Sequence, residues 1–442
     1  DAQLGVIVAA AKDGANIVAS RIALQALAGA QAQRSGGSLP PYISTRATSL
    51  SLARQAAGTY VSGQRRITLV PHDSTLHLHR DGSSAYSRLR LLADDTLIVD
   101  DALDFGARLL LRGDSMVLGS SVFARANADE IPNEPPATLR GLIGEYGWDY
   151  NTLYVYEQGG ALRALIEWFF DYPLTRIDAN TFAFPRSGLY TGERLVFVRD
   201  ARGRATQVTA AGIVFKRRRI PGEDAAVFRI TPRKPVAPLR RDALAASPPN
   251  ESGDFRASDL VELARLDSTI KLDIRYATRD NFLGVPVYSQ ARAFLQRPAA
   301  EALVRAHRAL RANGYGLLIH DGYRPWYVTK MFWDATPVAS RIFVADPSQG
   351  SRHNRGCAVD LTLYELATGR PVVMPGLYDE MSDRSYPMYP GGTARQRALR
   401  EVLRKAMERE GFRVYEAEWW HFDYQDWRQY RIGNQTFEQL RS

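Results

Sequence analysis

Apolar positions follow two different spacings along this chain of 442 residues. From about residue 50 to residue 219, short runs alternate apolar and polar positions and are separated by turn signals such as Arg80-Asp81-Gly82 and Gly159-Gly160. Alternation with a period of two is typical of half-buried strands. From about Leu260 the pattern changes to helical runs between short apolar strands. The spacing therefore predicts antiparallel β-structure followed by an α+β region.

The β-rich region reads as two copies of one unit, at about 50–127 and 137–219. Gly-Thr-Tyr60 in the first copy matches Gly-Glu-Tyr146 in the second, 86 positions later. Gly106-Ala107-Arg108-Leu109 matches Gly192-Glu193-Arg194-Leu195, again 86 positions later. Self-similarity at a fixed offset indicates an internal repeat. We therefore predict two antiparallel β-barrel or sandwich repeats.

Three further segments flank the repeats. Residues 1–45 contain an expected strand, Leu4 to Ala10, and an Ala-rich helix, Ala15 to Ala32, ended by Ser35-Gly36-Gly37. Residues 220–256 are rich in proline, which discourages regular structure, and are predicted to be a linker or a draped segment. Residues 257–442 are the predicted α+β domain, with elements at 271–276 (strand), 297–313 (helix), 315–320 (strand), 327–335 (helix), 358–363 (strand), 396–410 (helix) and 412–421 (strand).

Charge and composition exclude several classes of protein. The formal net charge of +9 comes from 57 Lys and Arg against 48 Asp and Glu. These charges are dispersed and accompany no nucleic-acid motif, so no nucleic-acid partner is expected. No apolar run approaches the roughly 18 residues that cross a bilayer, so no membrane span is expected. The single cysteine, Cys357, excludes an internal disulfide and a Cys-built zinc site, and it reads as a buried, inert thiol.

The strongest chemical signal lies between Ser351 and Asp360. There His353 and Asp360 stand seven residues apart, across a glycine turn into a strand. Zinc takes imidazole nitrogen and carboxylate oxygen, and His421 offers a third ligand that leaves one position open for water. Glu418, three residues before His421, is placed to take a proton from that water. Residues 418 and 421 would point to opposite faces of a regular strand, so the backbone must bulge or turn there.

A second group of histidines competes with this interpretation. His77 and His79 alternate on a predicted strand, with His72 close by, and such a pair can bind metal. The matching positions in the second copy are Tyr154 and Tyr156. We therefore interpret the pair as the polar face of a strand.

Residues 257–442 resemble the D-alanyl-D-alanine dipeptidases of the vancomycin-resistance type, which are zinc D,D-peptidases. The resemblance rests on five ordered blocks: Asp273-Ile274-Arg275-Tyr276-Ala277-Thr278 with Asn281-Phe282, Asp321-Gly322-Tyr323-Arg324-Pro325, Ser351 to Leu363, Asp379-Glu380-Met381-Ser382, and Glu418-Trp419-Trp420-His421. It implies one Zn²⁺ per chain and a small dipeptide as substrate. It also implies that His353, Asp360 and His421 hold the zinc.

The same resemblance implies roles for the other residues of these blocks. Glu418 would be the catalytic base, and Arg324 would donate to the oxyanion of the tetrahedral intermediate. Asp379 would bind the free ammonium group of the substrate, and Ser351 its backbone or carboxylate. Asp321 is placed with these substrate-binding groups.

The N-terminal half resembles a different class of protein. The stretch from Leu4 to Leu27 is similar to the last strand and closing helix of serine β-lactamase-like domains, and each β-copy is similar to the lipocalin-like domains that follow them. The resemblance implies a β-lactamase-like domain upstream as a partner. It favours the periplasm, with the cytoplasm as the alternative because the dipeptidases are often cytoplasmic.

Two alternatives to a dipeptidase remain open at this point. One is a D,D-carboxypeptidase or endopeptidase that acts on longer wall peptides. The other is a non-catalytic zinc protein that binds peptidoglycan. The stretch from Pro375 to Pro390 departs from the family pattern near the expected substrate pocket, so we expect side-chain specificity to depend on it.

Overall fold

The computed structural model describes residues 4–10, 15–39, 41–63, 65–72, 75–80, 86–102, 104–126, 131–166, 170–186 and 190–440. They divide into two compact units, one of residues 1–130 with 164–173, and one of residues 131–163 with 174–442. The second unit contains the whole predicted α+β domain.

The first unit is built on a closed antiparallel barrel of eight strands taken in chain order. Its elements are α1 (Asn16–Ser35), α2 (Leu50–Ala56), β1 (Gly58–Ser62), β2 (Arg65–His72), β3 (Thr75–Arg80), β4 (Tyr86–Ala93), β5 (Thr96–Asp100), β6 (Phe105–Arg112), β7 (Ser115–Leu118) and β8 (Ser121–Arg125). Residues such as Leu76, Leu97 and Leu109 fill its interior and are fully buried. Pairing of β1 with β8 closes the ring, so a barrel is confirmed for the first copy.

The segment before the barrel differs in part from expectation. The helix forms as α1, but residues 4–10 form no strand. A strand needs a neighbour for its backbone N–H and C=O groups, and no described segment pairs with these residues. The helix contacts the barrel through Arg21, which pairs with Asp100 at 2.7 Å and lies 3.4 Å from the ring centre of Phe105. No residue of α1 is buried.

The side chains of His77 and His79 on β3 lie on the outer face of this barrel. His77 lies opposite Val70, and His79 stacks on Tyr86 with ring centres 4.7 Å apart. Within the described ranges, these histidines join no group of three metal-ligating side chains. The side chain of His72 lies outside the described residues. The interpretation as a strand's polar face stands for His77 and His79.

The second copy folds into further antiparallel strands. Its elements are α3 (Ala137–Arg140), β9 (Gly144–Trp148), β10 (Asn151–Gln158), β11 (Ala161–Ile166), β12 (Phe170–Pro173), β13 (Thr175–Arg176), β14 (Thr181–Ala183), β15 (Arg194–Arg199), β16 (Ala205–Ala210) and β17 (Ile213–Lys216). Strands β9 and β10 form a hairpin, and β13 to β17 form a five-stranded sheet in chain order.

The two copies share one unusual set of contacts. Tyr60 and Tyr146 each donate their hydroxyl to the carbonyl oxygen four residues earlier, at 2.9 and 2.6 Å. An arginine at the end of the last strand of each copy then donates to each hydroxyl, Arg125 at 2.8 Å and Arg217, just after β17, at 3.0 Å. Each arginine also pairs across the backbone with its tyrosine.

Residues 220–256 are packed on the α+β domain and are not a free linker. They contain α4 (Val236–Ala245), and Leu239 and Ala243 on this helix are buried in the core of the following domain. Pro238 lies in the first turn of α4, where the missing N–H would have no partner in the helix. The segment is thus draped on the domain, and only the expectation of irregular structure was wrong, because proline disfavours a helix interior and not a helix start.

The remaining elements form the α+β domain. They are β18 (Leu260–Glu262), α5 (Leu263–Leu266), β19 (Lys271–Leu272), β20 (Phe294–Gln296), α6 (Arg297–Arg311), β21 (Tyr315–Asp321), α7 (Trp326–Ala335), β22 (Ala358–Glu365), α8 (Ala394–Arg409), β23 (Phe412–Tyr415) and β24 (Glu418–Tyr424). The main sheet has the order β19-β21-β22-β24-β23, in which only β19 and β21 are parallel. The strand predicted at 412–421 is in fact the hairpin of β23 and β24.

Candidate active site and metal centre

Three elements bring the expected ligands together. Asp360 on β22 lies directly opposite His421 on β24, so their side chains leave the sheet side by side. His353 lies in a short 3-10 turn, and Gly356 ends this turn with φ +68° before β22 begins. A Cβ atom at Gly356 would lie 2.4 Å from a methyl carbon of Leu260. The glycine turn expected from the sequence is therefore required both by φ and by space.

The three ligand atoms face one point. His353 Nε2 lies 3.2 Å from Asp360 Oδ1 and 3.1 Å from His421 Nδ1, and His421 Nδ1 lies 3.0 Å from Asp360 Oδ1. The other ring nitrogens donate outward, His353 Nδ1 to the carbonyl oxygen of Gly322 at 2.7 Å and His421 Nε2 to Asp423 at 2.9 Å. Such outer contacts fix the tautomer and leave a lone pair on each inner nitrogen.

The charges around this point favour a cation. Burial lowers the pKa of His421, but the carboxylates of Asp423 and Asp360 outweigh it and raise that pKa to about 10. Burial raises the pKa of Asp360, but His353 and His421 hold it well below its usual range. Two inner nitrogens and a carboxylate oxygen are the donor set of a zinc site with an open position. The residues present therefore fit a divalent metal ion.

Glu418 reaches the same point because the backbone is irregular, as the sequence required. Val414 pairs with Phe422, yet the next residue, Tyr415, pairs with Glu418, so β24 bulges between these two pairs. Glu418 Oε2 consequently lies 3.6 Å from His421 Nδ1. Burial raises the pKa of Glu418 to about 8, against the lowering effect of His421.

Arg324 enters the site from the loop between β21 and α7. Its guanidinium donates to Asp321 at 2.8 Å and to Asp360 Oδ2 at 3.4 Å. The aliphatic and aromatic wall around it includes Phe332, whose ring centre lies 4.9 Å from the guanidinium carbon. Asp321 also accepts from the hydroxyl of Tyr288 at 2.8 Å. Arg324 is thus fixed in place beside the candidate metal ligands.

Asp379 has an unusual backbone and an incomplete set of contacts. Its φ is +60°, a conformation that residues other than glycine rarely adopt. Tyr276 donates to Oδ1 at 2.8 Å, while Oδ2 is buried and has no hydrogen-bond partner among the described residues. Burial, followed by the charge of Asp360, raises the pKa of Asp379 well above its usual range. Strain and an unpaired buried carboxylate oxygen together indicate a binding group.

One cavity joins these groups. Seven of the eight residues expected from the sequence line it: Ser351, Arg324, His353, Asp360, Asp379, Glu418 and His421. Ser351 is buried, and its hydroxyl oxygen accepts from the backbone N–H of His353 at 3.2 Å. Asp321 does not line the cavity, because it lies behind Arg324.

Comparison with known proteins agrees with this geometry. Residues 256–440 match the Peptidase_M15 family model, described as D-ala-D-ala dipeptidase. The D-alanyl-D-alanine dipeptidase of Escherichia coli K12 is 35% identical over 166 residues, which are 38% of this chain and 84% of that protein. The dipeptidase of Enterococcus faecium is 37% identical over 36% of this chain and 87% of its own length. That of Enterococcus faecalis V583 is 38% identical over 35% and 85%. The chain belongs to this family.

As a member of Peptidase_M15, the chain is a metallopeptidase hydrolase. A solved structure titled "Crystal structure of SurE with D-Leu" covers 37% of this chain and 40% of its own with 16% identity and a TM-score of 0.17, too low to carry an argument. Across the described residues, no helix is both long and apolar enough to span a bilayer.

The sequence did not reveal every group around the peptidase site. Asp423 is the carboxylate that orients His421, and Tyr378 donates to Asp360 Oδ2 at 3.2 Å. Asp423 could have been found, because residues two apart on a strand share a face. Tyr378 could not, because its contact depends on the path of a loop. Trp420 is buried and lines the cavity, as expected for a pocket wall.

The stretch from Pro375 to Pro390, which departs from the family pattern, has two roles in the structure. Asp379 and Met381 line the cavity. Further along, Asp383 accepts from Tyr154 at 3.2 Å and Tyr389 donates to Glu145 at 2.8 Å. The later half of this stretch therefore contacts the second β-copy and not the substrate pocket.

Proposed function

We propose that this protein hydrolyses D-Ala-D-Ala or a closely related dipeptide with one Zn²⁺ held by His353, Asp360 and His421. One observation carries the proposal above all. The unpartnered Oδ2 atom of Asp379 is buried in the same cavity as the three ligand atoms. A buried carboxylate oxygen without a partner suits a cationic group of the substrate, and the free ammonium of a dipeptide supplies one.

Substrate length would follow from this arrangement. Asp379 would bind the ammonium group, and the hydroxyl of Ser351 would donate to the substrate backbone or carboxylate. A longer or blocked peptide places a neutral amide where the ammonium belongs, which leaves Asp379 buried without a partner. Such an unpaired polar group is the strongest means by which a site rejects a near relative of its substrate.

The chemistry would be the addition of water to the peptide carbonyl. Zinc, when bound, supplies Lewis acidity, which polarises that carbonyl and makes water more acidic. Glu418 would take a proton from the attacking water and pass it to the nitrogen of the leaving amine, and its raised pKa suits both steps. Arg324 would donate to the carbonyl oxygen as negative charge develops there.

Asp321 would act through Arg324 and not on the substrate. Its oxygens accept from Arg324, Tyr288 and the N–H of Gly322, at 2.8, 2.8 and 2.9 Å. We assign it a positioning role for this reason. It holds the guanidinium so that its remaining N–H groups are directed at the cavity.

The test is a panel of peptides with the full chain and Zn²⁺. We expect hydrolysis of D-Ala-D-Ala, much slower hydrolysis of L-Ala-L-Ala, and loss of activity in Glu418→Gln. The matched control is Glu416→Gln, which changes an exposed carboxylate in the hairpin turn before Glu418. This variant should retain activity. Faster cleavage of an N-acetylated tripeptide would favour a D,D-carboxypeptidase or endopeptidase. Bound zinc without any turnover would favour a peptidoglycan-binding protein.

We also propose that the second β-copy is a repeat of the first barrel. The shared tyrosine and arginine contacts of Tyr60 with Arg125 and Tyr146 with Arg217 support this. Both copies are proposed to be lipocalin-like, as domains at 50–127 and 137–219. Deletion of either copy with measurement of folding would test their independence.

The proposed compartment is the periplasm, with a β-lactamase-like domain as the neighbour of residues 1–45. The exposed apolar side chains of Ile22 and Leu24 on α1 support a partner for that helix. Fractionation of cells that express the protein from its natural gene would test the location. Recovery in the cytoplasm would contradict it.

A further inference from the structure

The loop that carries Asp379 is fixed from the side opposite the cavity. Glu380, the next residue, is completely buried. Its carboxylate accepts from the N–H of Leu377 at 2.9 Å and from the hydroxyl of Ser382. A terminal nitrogen of Arg384 donates to this carboxylate at 3.0 Å, and Nε of the same guanidinium lies 2.9 Å from its other oxygen as an ion pair. Through Glu380, the residues before and after Asp379 are thus held together from Leu377 to Arg384.

Arg384 in turn is held by residues outside the peptidase core. Its other terminal nitrogen donates to Glu223 at 3.2 Å. The second carboxylate oxygen of Glu223 accepts from Arg204 at 2.5 Å. Arg204 lies in the turn between β15 and β16 of the second β-copy, whereas Glu223 lies in the segment after it. An alternating chain of charges therefore runs from the β-copy to the Asp379 loop.

The loop needs such support for a physical reason. Asp379 has φ +60°, so its backbone would relax if the loop could move. Only Tyr276 restrains the carboxylate directly, since Oδ2 has no partner among the described residues. The position of the ammonium-binding oxygen is therefore set by the loop, and the loop is set by Glu380 and Arg384.

A second contact, at Tyr389, fixes the chain that follows Arg384. Glu145 on β9 is buried, accepts from Tyr389 at 2.8 Å and lies 3.7 Å from Arg218. The carbonyl oxygen of Tyr389 accepts from Arg400 on α8 at 3.0 Å. The chain on both sides of Arg384 is consequently anchored, one end by Glu380 and the other by the second β-copy.

We propose that Arg384 and Glu223 are positioning residues for the substrate's ammonium site, and that the second β-copy serves the peptidase by completing this site through Arg204. The inference rests on the proposed role of Asp379 in binding a dipeptide. It gives the β-copy a function in substrate affinity. It also accounts for the departure of this loop from the family pattern.

The experiment compares kcat and KM of the zinc-loaded full chain for D-Ala-D-Ala. For Glu223→Gln we expect KM to rise about 5-fold, as for loss of the partly exposed ion pair with Arg384. The value of kcat should stay within about twofold of the wild type. For Arg384→Gln we expect a larger rise, because the buried Glu380 also loses its partner. Arg384→Lys should recover part of the loss, since an ammonium can pair with one carboxylate but cannot span two.

Matched controls separate positioning from general destabilisation. Arg395→Gln removes another arginine that joins the peptidase to the segment before the β-copy, where it lies 3.4 Å from Glu134. Asp224→Asn removes the second, exposed partner of Arg204. Neither should change KM. Hydrolysis of N-acetyl-D-Ala-D-Ala, which carries no ammonium, should be equally slow in the wild type and in Glu223→Gln.

The outcomes distinguish this inference from the proposed function. If the wild type hydrolyses D-Ala-D-Ala and KM is unchanged in both Glu223→Gln and Arg384→Gln, the inference is wrong and the proposed function stands. No activity of the wild type overturns the proposed function and the inference with it. If Arg384→Gln does not fold, Glu223→Gln, which changes a less buried residue, still decides the question through KM.

Discussion

Replacing Asp379 by asparagine isolates the charge that the proposed substrate site depends on. Asparagine has nearly the same shape and tolerates φ near +60° better than most residues. Its side-chain oxygen can still accept from Tyr276, which bonds Asp379 at 2.8 Å. The variant should therefore fold with an unchanged melting temperature while the buried negative charge is lost.

The magnitude follows from the contact that is removed. A hydrogen bond to a charged group contributes about 1.5–3 kcal/mol, and about 1.4 kcal/mol corresponds to a factor of ten. We therefore expect KM for D-Ala-D-Ala to rise about 10- to 150-fold. The value of kcat should change less, because the ammonium is bound in the ground state and in the transition state alike.

The pH dependence has a definite sign. Burial, then the charge of Asp360, raises the pKa of Asp379 in the absence of substrate. Binding an ammonium requires the ionised carboxylate, so KM of the wild type should rise as pH falls through that pKa. The rise that depends on Asp379 should be missing in Asp379→Asn.

The assay measures initial rates of the zinc-loaded proteins on D-Ala-D-Ala and on its N-acetyl derivative. Asp334→Asn, which removes a carboxylate paired with Lys330 away from the cavity, is the control for loss of one charge. Wild type and control should prefer the free dipeptide strongly, and Asp379→Asn should lose most of this preference. A KM within twofold of the wild type, with the preference intact, would refute the assignment of Asp379.

Three further results are expected. Asp423→Asn should weaken zinc affinity about 10- to 100-fold in a chelator competition, because His421 loses the carboxylate that orients it. Gly356→Ala should lower the free energy of unfolding by more than Gly314→Ala, measured with denaturant; both have positive φ, but only Gly356 lacks space for a Cβ atom. Burial lowers the pKa of His307 below that of the unfolded chain. Stability should therefore fall as pH drops below about 6.5, and less so in His307→Gln; parallel pH profiles would contradict this.

The proximity of His353 to Asp360 was predictable because the signals for it are local. His353 and Asp360 are seven residues apart, and a glycine turn followed by a strand is enough to bring them together. The irregularity near Glu418 was also predictable, because a regular strand cannot place residues 418 and 421 on one face. The hairpin itself was missed, because its turn at Glu416-Ala417 contains none of the glycine, proline or asparagine residues that usually mark a turn.

Other features depend on contacts between distant parts of the chain. Leu4 to Ala10 has the composition of a strand, yet a strand exists only with a partner, and composition does not supply one. The burial of Leu239 depends on the neighbouring domain, so a proline count could not predict it. Asp321 carries the right chemistry for a substrate group, but only the structure shows that Arg324 stands between it and the cavity.

The stretch from Pro375 to Pro390 shows why a departure from a family pattern need not mean a change of chemistry. Its cavity face keeps the carboxylate of Asp379, whereas its outer face is occupied by Arg384 and Tyr389, which contact Glu223 and Glu145. Side chains on such an outer face must suit the surface that covers them. In this chain that surface belongs to the second β-copy and the segment after it. The divergence is therefore expected if the peptidase site is conserved in function and the β-copy has become part of its support.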